Sequence, residues 1–218
     1  MRRLFVPGLG ASPALYARAL DRRWRVLSTP TFAEINGSIR AHVAALVSEL
    51  DSAPEPAIVA GHSMGAAVAV LATLERPEAV ARLVLVAPAG LPLTKPIRRS
   101  LRALAAQLWS GCYPLPATLA TVTSVIRAPR SAARLVMEVR SLDLTCELGG
   151  LAGLGVPSSV LGCTTDTLTP VDHCRRIASL AAARYRELSL PGGHVWMLTE
   201  QAVFGSLMTF ELPPIPVS

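Results

Sequence analysis

Residues 57–72 pass from a short apolar run of strand-forming residues into an Ala-rich run without Gly or Pro, and the pentapeptide GHSMG at 61–65 joins the two. An unbroken apolar run of this length is typical of a strand buried on both faces. The Ala-rich run predicts a buried helix. Ser63 therefore lies at the apex of a strand-to-helix turn. Gly61 and Gly65 suit such a turn, because a side chain at either position would collide with the neighbouring strand or helix.

A G-x-S-x-G sequence between a strand and a helix predicts an exposed, activated serine, although so short a pattern also occurs at such turns by chance. A serine hydroxyl is a poor nucleophile unless a base takes its proton and a carboxylate orients that base. Both partners are expected in loops at the carboxyl ends of later strands. Asp166 follows a predicted strand at 158–163, and His194 follows one at 185–190. The order Ser63, Asp166, His194 is the one expected for this kind of turn.

The other histidines are weaker candidates for the base. His62 lies inside the turn and is too constrained to point at its neighbour Ser63. His42 belongs to a predicted helix upstream of the active edge of the sheet. His173 lies early in the helix after Asp166, where a surface or capping role is expected.

Acyl transfer also requires hydrogen-bond donors for the oxygen that becomes negatively charged. We expect the backbone N–H of Met64, the residue after the serine, to be one donor. The second is expected from Leu9, in the Gly-rich loop that follows the first predicted strand. A simple Gly-rich turn would explain the glycines of this loop but not its position opposite the serine.

Strands that alternate with helices predict a mostly parallel sheet of about six strands with helices on both faces. Residues 91–155 contain only helical patterns, and we predict that they form a helical cap at the carboxyl ends of the strands, where ligands bind in such sheets. The predicted division is a core at 1–90 and 156–212, the cap at 91–155 and a flexible tail at 213–218. The predicted cap helices lie at about 97–109, 117–127, 131–139 and 146–151.

Composition narrows the possible classes of protein. A hydrophobic content of 51% with 17% charged residues excludes a disordered chain. No apolar stretch reaches the roughly 18 residues of a membrane span, and Pro7 and Gly8 interrupt the apolar start too early for a secretory signal. The net charge of +6 comes with no nucleic-acid motif, so we expect a solvated basic face and no nucleic-acid partner. An anionic tail on the substrate remains an open alternative.

Four cysteines lack metal-ligand spacing and are too few for a disulfide framework. We expect free thiols in a reducing cytoplasm and no metal site.

The turn at 61–65, the Asp166 loop and Gly193-His194 together make the chain resemble the α/β-hydrolase superfamily over residues 4–210. The resemblance implies a serine hydrolase of carboxylic esters or thioesters, free of cofactors, with a helical lid and a small-molecule substrate. The first two antiparallel strands common in that superfamily are not expected here. The expected apolar substrate pocket has the candidates Gly8, Leu9, His62, Leu108, Trp109, Val195 and Trp196.

The same three side chains could serve a thioesterase, a lactonase, a carbon–carbon hydrolase or a lyase. A different class is a binding protein that holds a small apolar ligand under the lid without reacting with it. Labelling of Ser63 by a fluorophosphonate separates the enzymes from the binder. A nucleic-acid binder, suggested by the sequence pI of about 9.8, would show affinity that falls steeply with salt.

Overall fold

The computed structural model describes residues 1–93 and 115–210. The described residues form one sheet of six strands in the order β2-β1-β3-β4-β5-β6, and every neighbouring pair is parallel. The strands are β1 (Arg2–Val6), β2 (Trp24–Val26), β3 (Ala57–His62), β4 (Val80–Val86), β5 (Ser158–Cys163) and β6 (Arg184–Leu188). The predicted parallel α/β sheet of about six strands is thereby confirmed.

Helices connect these strands and cover both faces of the sheet. They are α1 (Pro13–Tyr16), α2 (Arg40–Asp51), α3 (Met64–Glu75), α4 (Leu115–Arg127), α5 (Pro129–Ser141), α6 (Thr145–Gly153), α7 (Val171–Leu180), α8 (Trp196–Thr199) and α9 (Gln201–Phe210). Short 3₁₀ turns lie at Pro77–Ala79 and Gly193–Val195. None of the described helices is both long and apolar enough to cross a membrane.

Successive residues of the central strands belong to two separate apolar cores. Leu4, Val59 and Leu83 pack with α2, α3 and α5–α7 on one face, whereas Phe5 and Val84 pack with α1, α8 and α9 on the other. This division follows from the two-residue period of a strand. Strands β3 and β5 are buried along their whole length, which is why they appear in the sequence as continuous apolar runs.

The edge strand β6 has a different character. Arg184, Arg186 and Glu187 are exposed, and Tyr185 and Leu188 are half-buried. Exposed charges on an edge strand disfavour pairing with another chain.

The helices α4–α6 lie between β4 and β5 in the chain and contact the loops beside the carboxyl ends of the strands. The hydroxyl of Thr121 donates to the carbonyl of Gly10 at 2.5 Å. The carboxylate of Glu138 accepts the N–H of Ile39 at 2.9 Å. These bonds tie α4 and α5 to the strand-bearing part of the chain. The division into core and cap stays a prediction, and the predicted helix at 97–109 and the tail at 213–218 lie outside the described residues.

Two short helices, α1 and α8, lie close to the loops that carry the site residues. Helix α1 ends at Tyr16, and the chain continues as turns in which the N–H groups of Ala19 and Leu20 both donate to the carbonyl of Tyr16. The short helix α8 was not predicted. It follows directly on the turn that carries His194 and directs Trp196 into the core.

Candidate active site

Ser63 sits between β3 and α3 with φ 55° and ψ −117°. This backbone conformation is rare for a residue with a side chain and is kept only where surrounding contacts fix it. The N–H of Ser63 donates to the carbonyl of Val86 at 3.0 Å, and its carbonyl accepts the N–H of Ala89 at 3.1 Å. Strand β4 and the residues after it therefore hold the strained turn in place.

The two glycines of the turn are required for the reason expected from the sequence. A Cβ atom on Gly61 would collide with the backbone of Gly65, and one on Gly65 would collide with the carbonyl oxygens of Val6 and Pro7. All of these obstacles are main chain, so no side-chain rotation could relieve the clash.

Asp166 lies in the loop after β5 and is almost fully buried. Its Oδ1 accepts the N–H groups of Leu168 at 2.8 Å and Thr169 at 3.0 Å, and its Oδ2 accepts the hydroxyl of Thr169 at 2.8 Å. Burial alone would raise the pKa of Asp166, but the nearby His194 and the hydrogen bonds outweigh it and leave the pKa below its ordinary value. The group is therefore a carboxylate at neutral pH.

His194 lies in a 3₁₀ turn after β6, and the turn is preceded by Gly192 with φ 98°. The Nδ1 atom of His194 lies 2.8 Å from Oδ2 of Asp166, and Nε2 lies 2.9 Å from Oγ of Ser63. A carboxylate can only accept a hydrogen bond, so Nδ1 carries the proton and Nε2 is left to accept the serine hydroxyl. The structure thus joins Ser63, His194 and Asp166 in one hydrogen-bonded chain.

A second hydrogen-bonded chain, through His62 and Tyr16, holds the backbone of His194. The Nε2 atom of His62 lies 3.1 Å from the carbonyl oxygen of His194, and its Nδ1 lies 2.8 Å from the hydroxyl of Tyr16. A carbonyl can only accept, so Nε2–H donates to it and Nδ1 accepts the tyrosine hydroxyl proton. That hydroxyl in turn accepts the N–H of Gly8 at 3.3 Å. Burial, with a smaller contribution from His194, lowers the pKa of His62 to about 3, so the ring is neutral.

The residues expected to supply backbone donors have free N–H groups. In the loop after β1 the N–H of Gly8 is bonded to Tyr16 and the N–H of Ala11 to the carbonyl of Gly8. The N–H of Leu9, between them, has no partner among the described residues. Met64 is the first residue of α3, and the first N–H groups of a helix have no intrahelical acceptor.

Two cavities lie beside this arrangement. The smaller, of about 200 Å³, is lined by Leu9, Met64, His42 and Phe32 together with helices α4 and α5, and none of the described lining residues is Asp, Glu, Lys or Arg. The larger, of about 480 Å³, is lined by Leu168 and His173 next to the Asp166 loop and carries charged side chains. His42 and His173, the weaker candidates for the base, therefore each line one of these cavities.

The structure shows where most of the residues expected in the substrate pocket lie. Leu9 does line the smaller cavity, but Gly8, His62, Val195 and Trp196 line neither of the two. Gly8 and His62 are engaged in the hydrogen bonds to Tyr16. Val195 and Trp196 are buried in the apolar core, where the ring of Trp196 packs edge-on against Phe204. Leu108 and Trp109 lie outside the described residues.

Three residues beside the site were not predicted: Tyr16, Thr169 and His42. Thr169 has a sequence signal, because an Asp followed three residues later by Thr can close a local hydrogen-bonded turn. Tyr16 and His42 lie on helices distant in sequence from Ser63, and only the folded chain brings them near it.

A parallel α/β sheet with a strained serine turn after a central strand and a histidine after the last strand has the architecture of the α/β hydrolases. The family model described as serine aminopeptidase, S33 (Hydrolase_4) matches residues 8–138, more than half of the chain. The chain belongs to this family, and the expected membership of the α/β-hydrolase superfamily is confirmed. The protein is a hydrolase.

Solved structures share the fold at low sequence identity. A lipase-esterase related protein from Clostridium acetobutylicum ATCC 824 has a TM-score of 0.73 at 11% identity, covering 97% of this chain and 94% of that one. The enol-lactonase from Burkholderia xenovorans LB400 gives 0.70 at 18% identity, covering 96% and 90%. A hydrolase from Pseudomonas aeruginosa PA01 gives 0.65 at 23% identity, covering 96% and 89%. A comparison with curated proteins finds no match.

Proposed function

We propose that the protein cleaves a carboxylic ester or thioester of a small, uncharged acyl group through a Ser63–His194–Asp166 triad and a covalent acyl-enzyme. The observation that carries the proposal is the continuous hydrogen-bonded chain, with 2.9 Å between Ser63 Oγ and His194 Nε2 and 2.8 Å between His194 Nδ1 and Asp166 Oδ2. A serine hydroxyl bonded to a base that is itself oriented by a carboxylate is the arrangement that activates a nucleophile.

In the first half of the reaction, Nε2 of His194 takes the hydroxyl proton as Oγ of Ser63 bonds to the acyl carbon. The carbonyl oxygen becomes an oxyanion, which the N–H groups of Leu9 and Met64 stabilise. The imidazolium then passes its proton to the leaving alcohol or thiol as the bond to the acyl carbon breaks. In the second half, His194 deprotonates a water molecule, which releases the carboxylic acid and restores Ser63. Asp166 stabilises the charged ring throughout.

The two cavities suggest how the substrate is divided. The leaving group must lie beside Nε2 of His194, because that atom protonates it. The larger cavity is lined by Leu168 of the Asp166 loop and by His173, at the start of the following helix. It therefore suits the leaving group. The smaller cavity contains residues Leu9 and Met64 and no residue of the Asp166 or His194 loops, and therefore suits the acyl group.

The size and charge of the smaller cavity support the substrate class. A volume of about 200 Å³, with no charged side chain among the described residues of the lining, fits a short acyl chain, and these residues offer no partner to a carboxylate or an ammonium group. The cysteines of the described residues, Cys146, Cys163 and Cys174, are free thiols, which supports the cytoplasm as the place of action.

The test is hydrolysis of p-nitrophenyl esters of graded chain length, with thioesters of the same acids. Ser63→Ala should abolish turnover, and the matched loss of an exposed serine on α9, Ser206→Ala, should leave it unchanged. Circular dichroism should show both variants folded. Equal turnover in folded Ser63→Ala and the wild type would contradict the proposal. The ratio of ester to thioester rates assigns the preferred bond, and carbon–carbon hydrolase or lyase substrates need be tried only if both fail.

A further inference from the structure

His42 has no part in the mechanism above, yet it is buried and is one of the residues that line the smaller cavity, which we assign to the acyl group. Only 5% of the residue is exposed, and it lies on α2 among the lining residues that include Leu9 and Met64. Both of its ring nitrogens are buried without a hydrogen-bond partner in the described part of the structure. A buried polar atom left unpaired destabilises the folded protein, so most buried polar groups in proteins have a partner.

The neighbours of His42 do not supply that partner. The hydroxyl of Thr121 donates to the carbonyl of Gly10, and that of Thr31 donates to Glu34. The apolar lining, including Phe32 and Leu135, offers no donor or acceptor side chain. Burial lowers the pKa of His42 to about 4, so the ring is neutral at pH 7 and presents one N–H donor and one acceptor nitrogen.

We propose that His42 is a binding residue that hydrogen-bonds an uncharged oxygen-bearing group, a ketone, hydroxyl or amide, in the acyl arm of the substrate. A charged group is a poor fit because no Lys, Arg, Asp or Glu is among the cavity-lining residues that the structure describes. A purely hydrocarbon chain would leave both ring nitrogens unpaired. A site that holds a buried hydrogen-bonding group discriminates against the substrate that lacks the matching atom. The inference rests on the proposed function and adds acyl-group specificity to it.

The test compares each plain p-nitrophenyl ester with its oxo analogue of equal chain length: pentanoate with 4-oxopentanoate, hexanoate with 5-oxohexanoate, and heptanoate with 6-oxoheptanoate. Each kcat/KM is divided by the rate of hydrolysis by hydroxide, which removes differences in chemical reactivity. The wild type should favour the oxo ester at one or more positions by about tenfold, since one hydrogen bond and one relieved unpaired group are at stake.

His42→Leu removes both ring nitrogens while keeping an apolar side chain of similar size, and a buried apolar replacement of this kind is compatible with folding. It should abolish the oxo preference, measured as the ratio of kcat/KM for the oxo ester to that for the plain ester. His42→Gln, which keeps a donor and an acceptor, should retain part of the preference. His173→Leu is the matched control, because it removes an imidazole from the larger cavity, and it should leave the preference as in the wild type.

The outcomes separate the two proposals. Turnover of plain esters with no oxo preference at any position would overturn the role of His42 and leave the proposed function standing. An oxo preference that persists in His42→Leu would also overturn the role of His42. So would a preference that is lost in His173→Leu instead. Absence of Ser63-dependent turnover of every ester and thioester would contradict the proposed function and this inference with it.

Discussion

The ring of His62 lies against the backbone of His194, with 3.1 Å between Nε2 of His62 and the carbonyl oxygen of His194 and 4.9 Å between the two ring centres. The residue that precedes Ser63 in the chain thus holds the main chain of His194, the proposed base. Through the hydroxyl of Tyr16, the same ring is connected to the N–H of Gly8 in the loop that carries Leu9. The buried hydroxyl of Tyr16 therefore connects the segment that carries His194 with the loop that carries Leu9.

Replacing Tyr16 with Phe should lower kcat about tenfold with little change in KM. The change leaves Nδ1 of His62 and the N–H of Gly8 buried without a partner, so it should also cost about 1–3 kcal/mol of stability. Ester kinetics and thermal unfolding measure the two effects. The matched control is Tyr185→Phe, whose hydroxyl bonds Glu187 at the sheet edge and whose loss should leave kcat unchanged. Equal kcat values in Tyr16→Phe and Tyr185→Phe would contradict the positioning role.

Asp166→Asn should reduce kcat by about 10⁴-fold, because an amide cannot hold His194 in the tautomer that accepts the serine proton.

The lowered pKa of Asp166 also has a consequence for stability. The folded state favours the carboxylate more than the unfolded state does, so this stabilisation is present above the ordinary pKa of 3.8 and is lost as the pH falls through the folded value. Urea unfolding should accordingly show the wild type and Asp166→Asn converging below pH 4. A difference in the free energy of unfolding that stays constant down to the lowest accessible pH would contradict the stabilising role of the Asp166 carboxylate.

How far the sequence predicts the structure depends on how local each signal is. The turn at 61–65 and the order of its partners are predictable because they are set by strand ends and glycines, and the structure brings Ser63, Asp166 and His194 into contact. The parallel sheet is predictable because Val59 and Leu83 sit in unbroken apolar runs that only a buried strand accommodates.

Some residues named from the sequence have surroundings that are set by distant segments. His62 was named for the pocket, and its ring bonds the hydroxyl of Tyr16 in α1 and the carbonyl of His194. Trp196 was named too, and α8 directs it into the core against Phe204. His42 was set aside as a base because its helix lies upstream of the active edge of the sheet, and only the folded chain places it beside Leu9 at a cavity.

The stability of the protein should fall as the pH is lowered from 6.5 towards 3. The pKa of His62 is lowered from 6.5 to about 3 in the folded protein, so between these values the unfolded chain binds a proton that the folded chain does not. One such group contributes up to about 1.4 kcal/mol per pH unit. Denaturant unfolding across this range measures the slope. His62→Gln, which can still donate to His194 and accept from Tyr16, should show a shallower slope, and an identical slope would rule out His62 as its source.

Gly65→Ala should prevent folding of the serine turn, because the added methyl group would meet the carbonyl oxygens of Val6 and Pro7. We expect a loss of more than about 3 kcal/mol of stability, or failure to obtain folded protein. Gly153→Ala is the matched control, since a Cβ there meets nothing within 4 Å at the end of α6. That change should be neutral or stabilising by up to about 1 kcal/mol. Comparable unfolding curves for the two variants would show that the turn tolerates a side chain.

The most direct test of the account is the site and chemistry of covalent labelling by a fluorophosphonate. Phosphonylation requires an activated hydroxyl, so intact-protein mass spectrometry should show one adduct, and peptide mapping should place it on Ser63. Labelling should be lost in Ser63→Ala, strongly slowed in His194→Ala, and unchanged in Ser206→Ala. An unlabelled wild type, or an adduct mapped to any residue other than Ser63, would contradict the claim that His194 and Asp166 activate this serine.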